Sequence, residues 1–248
     1  MDNTNRFEGK SDIYAKARPK YAAEFFDYIK NSLHIPVGSV FADIGSGTGI
    51  FTEQLLKCGY KVFAVEPNGD MRKKAEGNLS DDKNFVSING SASDMNLPDG
   101  SADYITAAQA FHWFDADAFK KECKRVLKPD GKVIIIYNAR DKKAACTKAV
   151  ADLYRKYNTE FHDFSNGISN EKCVVFFNGK CEIFRADNIQ IYDRQVYIDR
   201  VLSSSYSLRE EDDRYSEYLD GINKIFDMFS QNGRIVMPTE TVAYIGGI

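Results

Sequence analysis

Apolar and polar positions follow two rhythms along the first 138 residues. Short runs rich in β-branched and aromatic residues, SVFADI (39–44), KVFAVE (61–66), NFVSING (84–90), ADYITAAQ (102–109) and KVIIIYN (132–138), read as strands. Segments of helical period lie between them. IFTEQLLKCG opens a helix at Ile50 and stops it at Gly59, and DADAFKKECKRVLKPDG opens one at Asp115, capped by acids and closed by Pro129 and Gly131. Strand and helix in alternation predict a parallel sheet covered on both faces, the doubly wound α/β class.

Beyond Asn138 the rhythm changes. Residues 141–165 predict a helix, 172–192 strand, 194–231 two helices, and the closing GRIVMPTETVAYIGGI alternates like a strand. No repeat, low-complexity tract or linker interrupts the chain. One domain over 1–248 is therefore expected, with a core at about 35–138, lid and substrate-side elements at 1–34 and about 139–235, and closing strands within 172–192 and 234–246. Ligands of open α/β sheets bind at the carboxyl edge, which the last hundred residues are placed to cover.

Composition removes several classes. Lys plus Arg is 33 against 36 for Asp plus Glu, a net charge of −3, so the basic excess that nucleic acid requires is missing and no such partner is expected. No apolar run approaches the roughly 20 residues of a bilayer span, and MDNTNRFEGK has no apolar signal core, which predicts a soluble protein away from membranes. Five cysteines, an odd number without a C-x-x-C pair, argue against a disulfide framework or zinc ribbon and fit a reducing cytoplasm; no metal site is expected. Oligomeric state has no signature here.

The candidate chemistry begins at FADIGSGTGIF (41–51), where Gly45, Gly47 and Gly49 follow an apolar run ending in Asp43. A dinucleotide loop wants G-x-G-x-x-G, and Ile50 stands where its third glycine belongs, which weakens a nicotinamide reading. A Walker loop fails for want of Gly-Lys-Ser/Thr. Bare backbone with a carboxylate beside it suits a ligand with cationic centres, such as the sulfonium and ammonium of S-adenosyl-L-methionine.

Four motifs in order, DIGSGTG (43–49), VEPN (65–68), GSASDMNLPDGSADYI (90–105) and AQAFHWFD (108–115), resemble those of the class I S-adenosylmethionine-dependent methyltransferases. The last is similar to the small-molecule branch that includes trans-aconitate methyltransferase and its type 11 relatives, and SSSYS and VAYIGGI look like the tail of that branch. The resemblance implies a Rossmann-like sheet of seven mostly parallel strands under a helical lid, with S-adenosyl-L-methionine as cofactor. It places Asp43, Gly45, Ser46, Gly47 and Thr48 at the methionine end of that ligand and Glu66 on its ribose hydroxyls. Pro67, Asn68 and Met71 would flank the adenine, Ser93 and Asp94 would meet its edge, and Gln109 would leave the fourth strand beside it. Met71 reads equally as core, and Ser-x-Asp is also ordinary loop chemistry.

Phe111, His112, Trp113 and Phe114 put three rings and an imidazole at the mouth of this site. They read either as a dry cavity or, for Phe111 and Phe114, as packing for the next helix. His112 reads as a structural histidine or a substrate contact, and Trp113 leans to the site. A carboxylate acceptor is ionised already and needs a cationic clamp, whereas a hydroxyl or amine would make His112 the leading base. In SDIYAKARPKYAAEFF, Tyr14 and Arg18 stand one helical turn apart before Pro19. The resemblance makes this segment a lid, with Arg18 placed to grip a substrate carboxylate. Tyr206 reaches the pocket by the same analogy, while Arg140, Lys142 and Lys143 read as a solvated face. Residues 141–235 carry no decodable motif, so the acceptor stays open.

The expected function is methyl transfer from S-adenosylmethionine to a small molecule, with a carboxylate favoured. The alternatives are an NAD(P)-dependent oxidoreductase, opposed by Ile50 and by the lack of a Tyr-x-x-x-Lys pair, and a non-catalytic adenosyl-ligand-binding protein.

Overall fold

The computed structural model describes residues 18–164 and 170–248. Its strands in chain order are β1 (Val40–Ile44), β2 (Lys61–Val65), β3 (Phe85–Ile88), β4 (Ala102–Ala108), β5 (Leu127–Arg140), β6 (Glu182–Asp187), β7 (Gln190–Tyr192), β8 (Ile235–Met237) and β9 (Thr239–Gly246). Seven of them form one sheet in the order β3-β2-β1-β4-β5-β9-β6. The first five are parallel, and β9 lies antiparallel between β5 and β6. The expected mostly parallel, seven-stranded, doubly wound sheet is what the chain builds. β7 and β8 make a separate antiparallel ribbon.

Both sheet faces are covered, and β5 carries the reason in its sequence. Val133, Ile135 and Tyr137 enter one core while Ile134 and Ile136 enter the other, all of them buried. Against the second face pack helices α1 (Ala23–Asn31) and α2 (Ile50–Lys57) through Phe25, Ile29, Phe51 and Leu55. Between α2 and the next helix in sequence comes β2; that next helix is α3 (Gly69–Leu79), whose first turn is capped by the Asn68 side chain, accepting from the backbone N–H groups of Asp70 and Met71 at 3.0 Å each. On the first face lie α4 (Ala116–Val126), capped by Asp115, and α6 (Asn170–Phe176), delivering Phe119, Cys123, Cys173 and Phe176.

The lid has its own aromatic core. Helices α5 (Ala145–Tyr157), α7 (Arg194–Leu202) and α8 (Tyr215–Phe229), with the β7-β8 ribbon, bury Tyr154, Tyr157, Tyr197, Tyr218 and Phe226 together.

Several boundaries differ from expectation for identifiable reasons. α4 ends at Val126 and the chain passes directly into β5, because Pro129 disfavours helical backbone just before it. Residues 170–176, read from 172 onward as strand, form α6, whose Cys173 and Phe176 gain more by packing on the sheet than the β propensity of Val174 and Val175 would offer alone. The run 234–246 is two strands in different sheets. Pro238 separates them, having no N–H to continue a ladder.

Candidate functional site

A cleft of about 320 Å³ opens at the carboxyl ends of β1, β2, β4 and β5, on both sides of the β1/β4 junction where strand order reverses. The sheet dictates what enters it. β1 delivers the glycine loop, β2 delivers Glu66, β4 delivers Gln109 and β5 delivers Asn138.

The loop's glycines have different duties. Gly45 sits at φ +68° with its Cα face against Ala110, so that a Cβ there would come within 2.8 Å of the Ala110 Cβ. Gly49, at φ +84°, starts α2, and a Cβ on it would meet Leu79 and Ala75 of α3 at 2.8 and 3.2 Å. The first thus keeps a cleft wall thin and the third lets two helices close. Thr48, in the same wall, has a buried hydroxyl with no hydrogen-bond partner.

Glu66 is buried and braces the loop: its two carboxylate oxygens accept the Gly47 N–H at 2.9 Å and the Asn68 N–H at 2.8 Å. Burial pushes its pKa up, against those two hydrogen bonds and the Arg72 charge, which pull it down. Asp43 lies one layer deeper. It is fully buried, accepts from the Thr52 and Thr106 hydroxyls at 2.7 and 2.8 Å, and is outside the cleft wall. Desolvation raises it to about 6 despite both hydroxyls, with the Glu66 charge adding to the rise.

Gln109 takes a left-handed backbone at φ +54°, uncommon for a residue with a side chain, and donates from Nε2 to the Asn138 carbonyl at 3.1 Å. Asn138 in turn accepts from Thr241 and Asn188 at 2.6 and 2.8 Å and donates to the Pro19 and Lys20 carbonyls at 3.4 and 3.2 Å. One amide therefore joins the cleft floor, β9 and the segment entering α1.

Of the positions singled out by sequence, Arg18, Gly45, Ser46, Gly47, Thr48, Glu66, Pro67, Asn68, Met71, Ser93, Gln109 and Trp113 come together in the cleft wall. Asp94 is exposed and pairs through its backbone with Ser91, and Asp43 supports the loop from below. His112 also stands outside the wall, its ring tilted against Trp113 with centroids 4.5 Å apart, with Nδ1 buried and unpartnered. Burial, and then the Arg18 charge, lower it to about 4, so it is neutral and a feeble base at pH 7. Phe111 packs in the core on Phe119 and Phe176, while Phe114 reaches the cleft. Tyr206 packs on Phe161 in the lid core, and Tyr14 lies outside the described residues.

Among the cleft residues not singled out as site residues are Tyr21, Phe51, Asn138 and Arg200. Asn138 had a signal, a polar residue ending an apolar strand at the ligand-binding edge; Arg200, inside α7, had none. Arg140 corrects the expected solvated face. It ends β5 beneath the lid, its guanidinium stacked over Phe164 at 4.3 Å, whereas Lys142 and Lys143 are exposed.

Comparison with known proteins agrees with this geometry. Residues 42–135 match the family described as methyltransferase domain. An uncharacterized methyltransferase-like protein of Schizosaccharomyces pombe is 32% identical over 62% of this chain and 60% of its own. An uncharacterized methyltransferase of Mycobacterium tuberculosis is 31% identical over 61% of this chain and 60% of its own, so the chain spans about 60% of the length of these relatives. In structure it is similar to a candidate type II methyltransferase of Anaeromyxobacter dehalogenans, with a TM-score of 0.66 at 19% identity covering 92% of this chain and 97% of that one. Among the described residues no helix is long and apolar enough to cross a membrane. Residues 42–135 thus match a methyltransferase domain, and the sheet that carries them shares its fold with a solved methyltransferase.

Proposed function

We propose that this chain, as one domain in a reducing cytoplasm, transfers a methyl group from S-adenosylmethionine to a small molecule whose accepting atom belongs to a carboxylate. One observation carries the reading: the glycine loop and Glu66 share a single cleft with two guanidiniums, Arg18 and Arg200. The residues of the first group suit the donor. The thin wall at Gly45, the unpartnered Thr48 hydroxyl and the buried carboxylate of Glu66 fit a ligand with cationic centres and vicinal hydroxyls.

Bound there, the donor supplies a methyl group on a sulfonium, already activated for displacement. The chain's residues then have three tasks. Arg18 holds the acceptor carboxylate in line, at the approach of about 3 Å that lets proximity lower the barrier. Trp113, Phe114, Tyr21 and Phe51, all in the cleft wall, exclude water. No base is required, since a carboxylate is ionised at neutral pH; this agrees with a His112 that is neutral and outside the wall. All five cysteines are free, consistent with a reducing compartment.

Calorimetric titration with S-adenosylhomocysteine and with NADH tests the donor. Micromolar affinity for the first, about −8 kcal/mol, with no heat from NADH is expected, and the reverse pattern sinks the reading. Release of labelled methyl into carboxylic acids of a metabolite extract separates an enzyme from an adenosyl-ligand sensor.

A further inference from the structure

Three guanidiniums meet where the lid covers the end of β5. Arg140 is the last residue of that strand, Arg200 lies in α7, and Arg18 donates to the Ser203 carbonyl at the end of α7 at 3.3 Å. Arg200 and Arg140 line a small chamber of about 20 Å³ with Tyr192, Tyr197, Gln190 and Asn138. Asn138, Pro19 and Arg200 also line the large cleft, so the chamber is a side room of it.

Charge in this chamber is one-sided. The groups that act on Arg200 are Arg18, Arg140, Tyr192 and Tyr154; those on Arg140 are Arg18 and three tyrosines, Tyr154, Tyr192 and Tyr197. No carboxylate is among them. Burial first, then Arg18 and Arg140, push the Arg200 guanidinium down to about 9; burial likewise lowers Arg140. Two donors in the wall, Arg200 Nη1 and the Tyr197 hydroxyl, are buried with no hydrogen-bond partner. Leaving such donors unmet is costly, more so for a charged one, and no carboxylate is among the groups that act on Arg200 or Arg140.

We propose that this chamber is a specificity subsite that grips a compact anionic head of the acceptor, through Arg200, Arg140 and Tyr197, at a distance from the atom that takes the methyl. This rests on the acceptor lying in the cleft as described above. The acceptor therefore carries an anionic group besides its methylated one, and neutral or singly charged analogues are rejected because they leave the guanidiniums unmatched.

The test is calorimetry on the full chain, with and without S-adenosylhomocysteine, using glutarate, glutaramide, butyrate and glycerol 3-phosphate as probes. Glutarate is expected to bind, with glutaramide and butyrate at least tenfold weaker. Arg200→Met and Arg140→Met should each weaken glutarate about 10–100-fold, Arg200→Lys less, and all should keep S-adenosylhomocysteine affinity within about twofold. Tighter binding of glycerol 3-phosphate than glutarate supports the subsite and assigns it a phosphate head. A second readout is melting. Arg200→Met should raise Tm by roughly 2–4 °C in anion-free buffer, because an uncompensated cation is removed, and glutarate should raise the Tm of the wild type alone. Glutaramide binding as well as glutarate, no binding by any anion, or unchanged glutarate affinity in Arg200→Met overturns the proposal; so does an Arg200→Met protein that melts lower with no change in glutarate binding. Failure of the wild type to bind S-adenosylhomocysteine strikes the donor reading instead, and leaves the anion titrations to be judged separately.

Discussion

The two ends of the cleft bury charge of opposite sign. At the glycine loop, Asp43 and Glu66 are carboxylates held by hydroxyls and backbone N–H groups, both pushed up by burial. Beneath the lid, Arg140 and Arg200 are guanidiniums held among tyrosines and pushed down by burial. Glu66 is satisfied by backbone N–H groups of Gly47 and Asn68, and Asp43 by hydroxyls of α2 and β4, all within the parallel half of the sheet. The guanidiniums are brought together from β5, α7 and the segment before α1, and only the folded lid makes them neighbours.

Removing Glu66 should break the anionic end most severely. Glu66→Ala takes away a buried carboxylate and strands the Gly47 and Asn68 N–H groups; S-adenosylhomocysteine affinity is expected to fall about 10–100-fold by calorimetry. Affinity unchanged within a factor of two would remove Glu66 from the donor site.

A pair of opposite pH effects comes next. Asp43 has a folded pKa of about 6 against 3.8 unfolded, so the native state holds that proton more tightly and acidification through this window adds stability. His112 has a folded pKa of about 4 against 6.5, so acidification through 6.5 to 4 removes stability. In the wild type the two offset each other. Relative to it, Asp43→Asn should lose about 1–3 kcal/mol on going from pH 6.5 to 4.5 in urea denaturation, and His112→Phe should gain a similar amount. Parallel profiles for all three proteins would contradict the burial assigned to both groups.

The smallest effect belongs to a charge pair that water shares. Lys20 and Glu53 stand 3.1 Å apart with side chains 58% and 33% exposed, and Lys20→Ala should change unfolding free energy by less than about 0.5 kcal/mol. A loss above 1 kcal/mol would mean that surface pairs here matter as much as the buried cleft charges.

The same contrast explains what the sequence disclosed. The donor end is written in positions that are close together and backbone-driven: three glycines before a helix, an acid ending β2, a glutamine ending β4. Such features have few alternative uses and can be read in order. Asp43 was visible too, but not its depth; Thr52 and Thr106, which hold it, come from α2 and β4 and form no motif. Arg140 looked like the start of a solvated run because Lys142 and Lys143 follow it, and Phe164, which covers it, is 24 residues away in sequence. Arg200 sits in a helix whose pattern announces only that Tyr197 and Val201 are core. The elements of the lid were legible as helices, but the chemistry they bring together was not.

β9 is among the last segments of the chain, yet it lies inside the sheet, between β5 and β6, and supplies Thr241 to Asn138. On the ribosome, β1 to β5 can pair as they emerge, and the glycine loop is then in place. The slot between β5 and β6 is filled only once residues 239–246 have left the exit tunnel. A translation product truncated ahead of Thr239 would leave β6 without its sheet partner and expose an unpaired edge on β5 where the working molecule has none.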